Sequence, residues 1–243
     1  MSHFDVNSKL SESITHLIVV CGHAIWLGGP TSGQDESEWA IESFQSGETP
    51  TFMGHIKAGL KALKEESSSL LVFSGFRAQD LAYRLSPQHH ERISAEIHAT
   101  DSYQNLLFSI LHFHTLTSNY PTQITLISHA FKRARFLELH CRAIRWPLSR
   151  FTYTGIDPPE DVTPRCVLEQ GERERGYGVW ERDLYGVGSV LGAKRERRGW
   201  EHSAFEAVGK GKEESVDGLL EWKGGADGEE VYEGRLPWDR EVL

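Results

Sequence analysis

Four short runs along the chain are almost continuously apolar: 16–21 (HLIVVC), 70–74 (LLVFS), 124–128 (ITLIS) and 151–154 (FTYT). The first three lack alternation and are bounded by turn residues, which is how strands buried on both faces of a parallel sheet read. Between them the period lengthens to that of a helix. Ile56, Leu60 and Leu63 recur at i, i+4 and i+7. Tyr103, Leu106, Leu107, Ile110, Leu111 and His114 make a stripe over about 101–116, and Phe131, Ala134, Leu137 and Cys141 make another after the third strand. Segment 36–45 predicts a further helix with Trp39, Ala40 and Phe44 inward. Strands alternating with helices imply right-handed crossovers and a three-layer α/β domain with a mostly parallel sheet.

Composition divides the chain. The overall charge of −9 is uneven. Residues 1–165 hold 17 acidic and 14 basic side chains, a net of −3, while 166–243 hold 18 and 12, a net of −6. The second part also has 14 of the 23 glycines, and the first has 11 of the 12 histidines. This predicts an α/β domain over 14–165. An extension over 166–200 follows, whose aromatic residues around 177–191 dock on the domain. Residues 201–243 read as a polar, Gly-rich tail of partly low order. The acidic balance argues against a nucleic-acid partner, and the basic cluster 194–198 is short and set in acidic sequence. Three cysteines give no disulfide framework. The apolar stretch 17–29 is interrupted by Gly22 and His23 and is too short to span a bilayer. The expected location is intracellular and soluble, cytoplasmic first, with organelle association open.

Candidate chemistry gathers at the strand ends, where ligands of open α/β sheets bind. The first strand runs into Gly22-His23, the second ends at Ser74-Gly75 and the third at Ser128-His129. Thr100-Asp101-Ser102 is a helix-start cluster with Asn105 one turn on, and Lys132, Arg133 and Arg135 follow Ser128-His129. Cations at a helix start are unfavourable unless an anion compensates them. A pocket for a small anionic or zwitterionic molecule follows, with Arg135 as clamp and His129 as acid/base group. Asp101 is a second catalytic candidate. Each residue also has a plain structural reading: Asp101 as an N-cap, Gly22, Gly28 and Gly29 as turn residues, Lys132 and Arg133 as a solvated face. There is no GxGxxG, no P-loop, no G-x-S-x-G elbow and no CxxC or HExxH spacing, so no metal is expected.

The strand ends also carry a resemblance. Segments 16–29 (HLIVVCGHAIWLGG), 38–63, 70–75 (LLVFSG), 94–110 (SAEIHATDSYQNLLFSI), 124–140 (ITLISHAFKRARFLELH), 151–159 (FTYTGIDPP) and 183–200 resemble, in order and spacing, the YdcF/SanA-like family (domain-of-unknown-function group 218), in its eukaryotic, mostly fungal branch. The resemblance implies a Rossmann-like domain with a small-molecule site at the strand ends, with S-adenosylmethionine as one ligand type. By position it implies roles for Gly22 with Gly28-Gly29, for Ser74-Gly75, for Glu96, Ser102 and Asn105, and for Ser128 and Arg135. The chain departs from the family at Phe76, which replaces a glycine, and at 76–93, which is shortened and lacks the Ser-Glu-Ala helix. It departs again at Lys132, which stands where bacterial relatives carry a histidine.

Two functions follow as expectations. The first is binding of a nucleotide-type or S-adenosylmethionine-type ligand, with transferase or hydrolase chemistry. The alternative is a catalytically degenerate interaction protein, which the shortened segment 76–93 favours.

Overall fold

In a computed structural model, residues 13–75 and 79–239 of the chain are described. Strand β1 (His16–Cys21) leads into a small antiparallel hairpin, β2 (Ile25–Trp26) with β3 (Trp39–Ala40). Helix α1 (Thr49–Glu65), β4 (Ser69–Ser74), α2 (Gln79–Leu85), β5 (Ile93–Glu96), α3 (Ser102–Thr117) and β6 (Gln123–Ser128) follow. After β6 the chain makes a 3-10 turn (Ala130–Lys132), a π-helical turn (Arg135–His140) and the short α4 (Cys141–Ala143), then enters β7 (Phe151–Gly155).

Five strands form one sheet in the order β5-β4-β1-β6-β7, and every pairing in it is parallel. Counted along the chain, the sheet's strands run 3-2-1-4-5, a Rossmann-like arrangement. The direction of growth reverses between β1 and β6, and the crevice above that reversal is where such sheets hold ligands. The register aligns Cys21 with Ser74, Ser74 with Glu96, and Ser128 with Gly155, so the polar strand ends share one edge.

The strands are buried on both faces, as their unbroken apolar runs require. Ile18, Val20, Leu71 and Phe73 pack on Phe52, Met53, Ile56 and Leu63 of α1 and on Leu81 and Ala82 of α2. Leu17, Val19, Leu70 and Val72 pack on α3 and on Phe136 and Leu139. Twelve of the sixteen residues of α3 are buried, so its outer face needs a second cover.

The C-terminal residues provide that cover. They fold as α5 (Arg165–Arg175), α6 (Tyr177–Trp180), α7 (Ser189–Arg197), α8 (Ala204–Ala207) and α9 (Glu214–Glu221). Leu184, Tyr185 and Leu191 join the α3-side core, and so do Val216, Leu219, Leu220, Leu236 and Trp238. Tyr185 donates its hydroxyl to the Ala143 carbonyl at 2.9 Å, and Trp238 Nε1 donates to the Ile144 carbonyl at 2.7 Å. Within the polar, Gly-rich segment 201–243, apolar side chains between 204 and 239 pack against the domain. Val216, Leu219 and Leu220 are spaced i, i+3, i+4 on α9, and a few well-placed apolar groups dock a segment whose average composition is polar. Residues 240–243, and with them Phe76 and the rest of 76–78, lie outside the described residues.

Two further expectations change. Segment 36–45 is two 3-10 turns (Glu36–Glu38, Ser43–Gln45) around β3, with Trp39 buried but Ala40 and Phe44 exposed. The Glu38 carboxylate folds back to accept the N–H groups of Thr31 at 2.8 Å and Gly33 at 2.7 Å, a local bonding pattern that competes with a helix. After β6 the inward face is Phe136, Leu139, His140, Cys141 and Ala143, with Leu137 partly buried against it; of the expected stripe Cys141 is buried, Ala134 is exposed and Phe131 is turned toward the cavity. The π turn inserts an extra residue and advances the face. No helix among the described residues is long and apolar enough to cross a membrane.

Candidate functional site

The strand ends open into a cavity of about 820 Å³. Its sheet-side wall is built from the loops after β1, β4 and β6 and from the start of α3. Its other wall comes from α5, α6 and α7. The C-terminal extension is thus half of the site.

Beneath the cavity lies a buried polar support. Glu96, 2% exposed, ends β5 and accepts the backbone N–H groups of His98 at 2.6 Å and Ala99 at 3.1 Å. Ser74 donates its hydroxyl to Glu96 Oε2 at 2.8 Å and lies 3.1 Å from Asn105 Oδ1. Burial pushes the Glu96 carboxyl up, and the hydrogen bonds it accepts oppose that shift. Gly75 beside it has φ +81°, and a Cβ there would stand 2.9 Å from Asn105 Oδ1, so the turn needs glycine.

Three histidines form the inner corner. The rings of His23 and His129 are 4.2 Å apart between centroids, those of His55 and His129 4.9 Å, and those of His23 and His55 5.4 Å. Phe131 stacks on His129 at 5.0 Å. His129 is 4% exposed, and neither ring nitrogen has a hydrogen-bond partner. His55 bonds the Ile156 carbonyl through Nε2 at 2.8 Å and leaves Nδ1 unpartnered. His23 lies with Nε2 3.3 Å from Ser128 Oγ and Nδ1 3.3 Å from Lys132 Nζ. An ammonium only donates, so His23 Nδ1 accepts, and its Nε2–H faces the Ser128 hydroxyl.

Burial, followed by the charge of Lys132, holds His23 and His129 well below the ordinary imidazole value. Burial pushes His55 down to about 4. Lys132 is partly exposed as a residue, and burial of its ammonium followed by the charge of Arg135 pushes it down to about 8. At neutral pH the corner holds neutral imidazoles, which can accept hydrogen bonds, beside a lysine that remains largely charged.

The outer wall is cationic. Arg135 donates through Nε to Glu172 Oε1 at 2.7 Å and through Nη2 to Glu172 Oε2, and its Nη1 reaches Ser102 Oγ at 3.2 Å. Ser102 Oγ in turn lies 2.7 Å from His140 Nε2. Arg195, 5% exposed, pairs with Asp101, and Arg198 donates to the Thr100 carbonyl at 2.6 Å. Lys194 Nζ reaches only the Arg175 carbonyl, at 3.3 Å. Six cationic side chains line the cavity (Lys132, Arg135, Arg175, Lys194, Arg195, Arg198) against three carboxylates (Glu48, Asp101, Glu172), an excess of three positive charges.

The structure brings Gly22, His23, Gly75, Asp101, Ser102, Asn105, Ser128, His129, Lys132 and Arg135 to the cavity wall. Ser74 and Glu96 stand behind it as the support described above. Gly28 and Gly29 are not in its lining; a Cβ on Gly29 would meet the Glu38 carboxylate at 2.1 Å, so Gly29 serves the hairpin loop. Asp101 caps α3, accepting the Gln104 N–H at 2.9 Å, and its other oxygen is held by Arg195. Both carboxylate oxygens are therefore occupied, as the cap reading of this residue expects.

Sequence reasoning missed His55, His140, Glu172 and the placement of 194–198. His55 adjoins Ile56 in an apolar helix stripe, and Glu172 sits in the charge run ERER, so neither carried a signal of its own. The basic cluster did carry one, since its charges needed a partner. Among the described residues no group of three or more His, Cys, Asp or Glu side chains is arranged to hold a metal ion.

No protein-family model matches the chain, and no solved structure matches it. Over 194 residues it is 29% identical to "Uncharacterized protein YOR238W" of Saccharomyces cerevisiae, a match covering 74% of this chain and 60% of the yeast protein. The chain thus matches only about three fifths of that relative's length.

Proposed function

We propose that the chain binds a small anionic or zwitterionic ligand of the nucleotide or S-adenosylmethionine type in the strand-end cavity, as a transferase or hydrolase of the YdcF/SanA-like kind. The observation that carries this reading is His129. A side chain 4% exposed with two unpartnered ring nitrogens is costly to keep unless a ligand completes it. The surrounding excess of positive charge favours an anionic group there. In this reading Lys132 and Arg135 hold the ligand's negative charge, and the neutral His129 ring faces the same cavity as the candidate acid/base group.

The degenerate alternative would be favoured by a filled cavity, and the described residues leave about 820 Å³ open. Calorimetric titration of the full chain with nucleotides and S-adenosylmethionine tests the proposal, with Arg135→Ala as the comparison. Binding weakened at least about tenfold in the variant supports it. No binding by any ligand, or binding indifferent to Arg135, overturns it.

A further inference from the structure

Resting on the reading above, we infer that the ligand is a nucleoside diphosphate or a close relative, with its two phosphates on two separate groups of cations and its base against an apolar rim, and that S-adenosylmethionine does not fit. The inner group is Lys132 and Arg135, contributed by the turn after β6. The outer group is Lys194 and Arg198, contributed by α7 and the residue that follows it. The chain supplies each group from a different part of the fold, and both face one cavity.

Among the described residues, internal pairing leaves Lys132, Lys194 and Arg198 without a carboxylate partner, while Arg135 is shared with Glu172 and Arg175 pairs with Glu174 outside the lining. Asp101 is committed to Arg195, Glu172 to Arg135, and Glu48 accepts the Thr163 hydroxyl at 2.9 Å. Lys132, Lys194 and Arg198 reach only a ring nitrogen or backbone carbonyls. These three unpaired cations match a terminal diphosphate ester, which carries about −2.5 to −3 if its end phosphate holds about −1.5 to −2 and the inner one a further charge. A monophosphate leaves the outer group uncompensated. The fixed sulfonium of S-adenosylmethionine adds a cation to a lining that already holds six cationic side chains against three carboxylates.

The rim explains the rest of the ligand. Ile25, Phe44, Ile97 and Val167 are 49%, 77%, 53% and 51% exposed, and all four line the cavity. Large apolar groups gathered at the edge of a charged pocket suit a flat, weakly polar ring such as a base. The Glu172 carboxylate already occupies the Arg135 fork in the bidentate geometry that a phosphate uses, so the ligand competes with Glu172 for that guanidinium.

Calorimetry of the full chain with ADP, UDP, AMP, pyrophosphate and S-adenosylmethionine tests the inference. The better of ADP and UDP should bind at least about tenfold more tightly than AMP, and more tightly than pyrophosphate. The double variant Lys194→Ala/Arg198→Ala, with Lys194 partly exposed and Arg198 exposed, should remove most of the diphosphate advantage over AMP. Glu172→Gln should tighten diphosphate binding by freeing Arg135. Equal affinity for AMP and the diphosphates, or tighter binding of S-adenosylmethionine, overturns the inference and leaves the broader reading standing. Absence of binding by all five overturns both.

Discussion

Trp238→Ala tests whether the C-terminal residues are part of the fold. Trp238 is 2% exposed, its ring centroid lies 5.5 Å from that of Tyr120 and 6.0 Å from that of Trp146, and its indole N–H bonds the Ile144 carbonyl. Removing a buried aromatic side chain costs about 3–5 kcal/mol through lost burial and the cavity left behind. The orphaned Ile144 carbonyl moves the cost toward the upper end, because an unsatisfied buried acceptor costs about 1–3 kcal/mol by itself. For a chain of this size that loss lowers the melting midpoint by about 6–20 °C. Urea unfolding followed by far-UV circular dichroism gives the free energy directly, with Val190→Ala, 64% exposed, as the control. A change below about 0.5 kcal/mol, the size seen at exposed sites, would mean that the tail is not docked and that the cover over α3 is wrong.

Asp101→Ala removes the α3 cap and leaves Arg195 buried without its carboxylate. A loss of about 3–5 kcal/mol is expected, and the double variant with Arg195→Met should recover part of it in denaturant melts. Burial holds His55 and His112 at about 4, below the 6.5 of the unfolded chain. The unfolded state therefore binds protons that the folded state refuses, and stability is full above pH 6.5 and falls toward pH 4, by up to about 3 kcal/mol per histidine. Unfolding midpoints that stay level from pH 7.5 to 5 would contradict this. Lys132, at about 8 in the folded chain, loses its proton as pH rises. Anion affinity should decline above pH 8 in calorimetry, and Lys132→Met should bind weakly with no such decline.

Most of the sheet was legible because a strand buried on both faces has no polar alternation to hide it. The runs 16–21, 70–74, 124–128 and 151–154 each fall within one residue of β1, β4, β6 and β7. Edge strand β5, ISAE, buries only Ile93 and Glu96 and carries no apolar run, so it was not legible. The strand ends named half of the cavity, because glycine, serine and histidine after an apolar run are unusual enough to stand out. The other half was illegible for a physical reason. Glu172, Lys194, Arg195 and Arg198 lie in a region whose average is that of a solvated tail, and only the docking of Trp180, Tyr185 and Leu191 turns that charge inward. Composition averages over a segment, whereas docking depends on a few apolar residues within it.

The central claim is that strand ends and C-terminal extension form one ligand site. Hydrogen exchange of the full chain, with and without saturating ADP or UDP, measures it most directly. The account predicts slowed exchange at 22–24, 75, 128–132 and 172–176 together, and at 194–198, with no change at 214–221. Slowing confined to the strand ends, or found only outside these segments, would contradict it, as would no slowing at all.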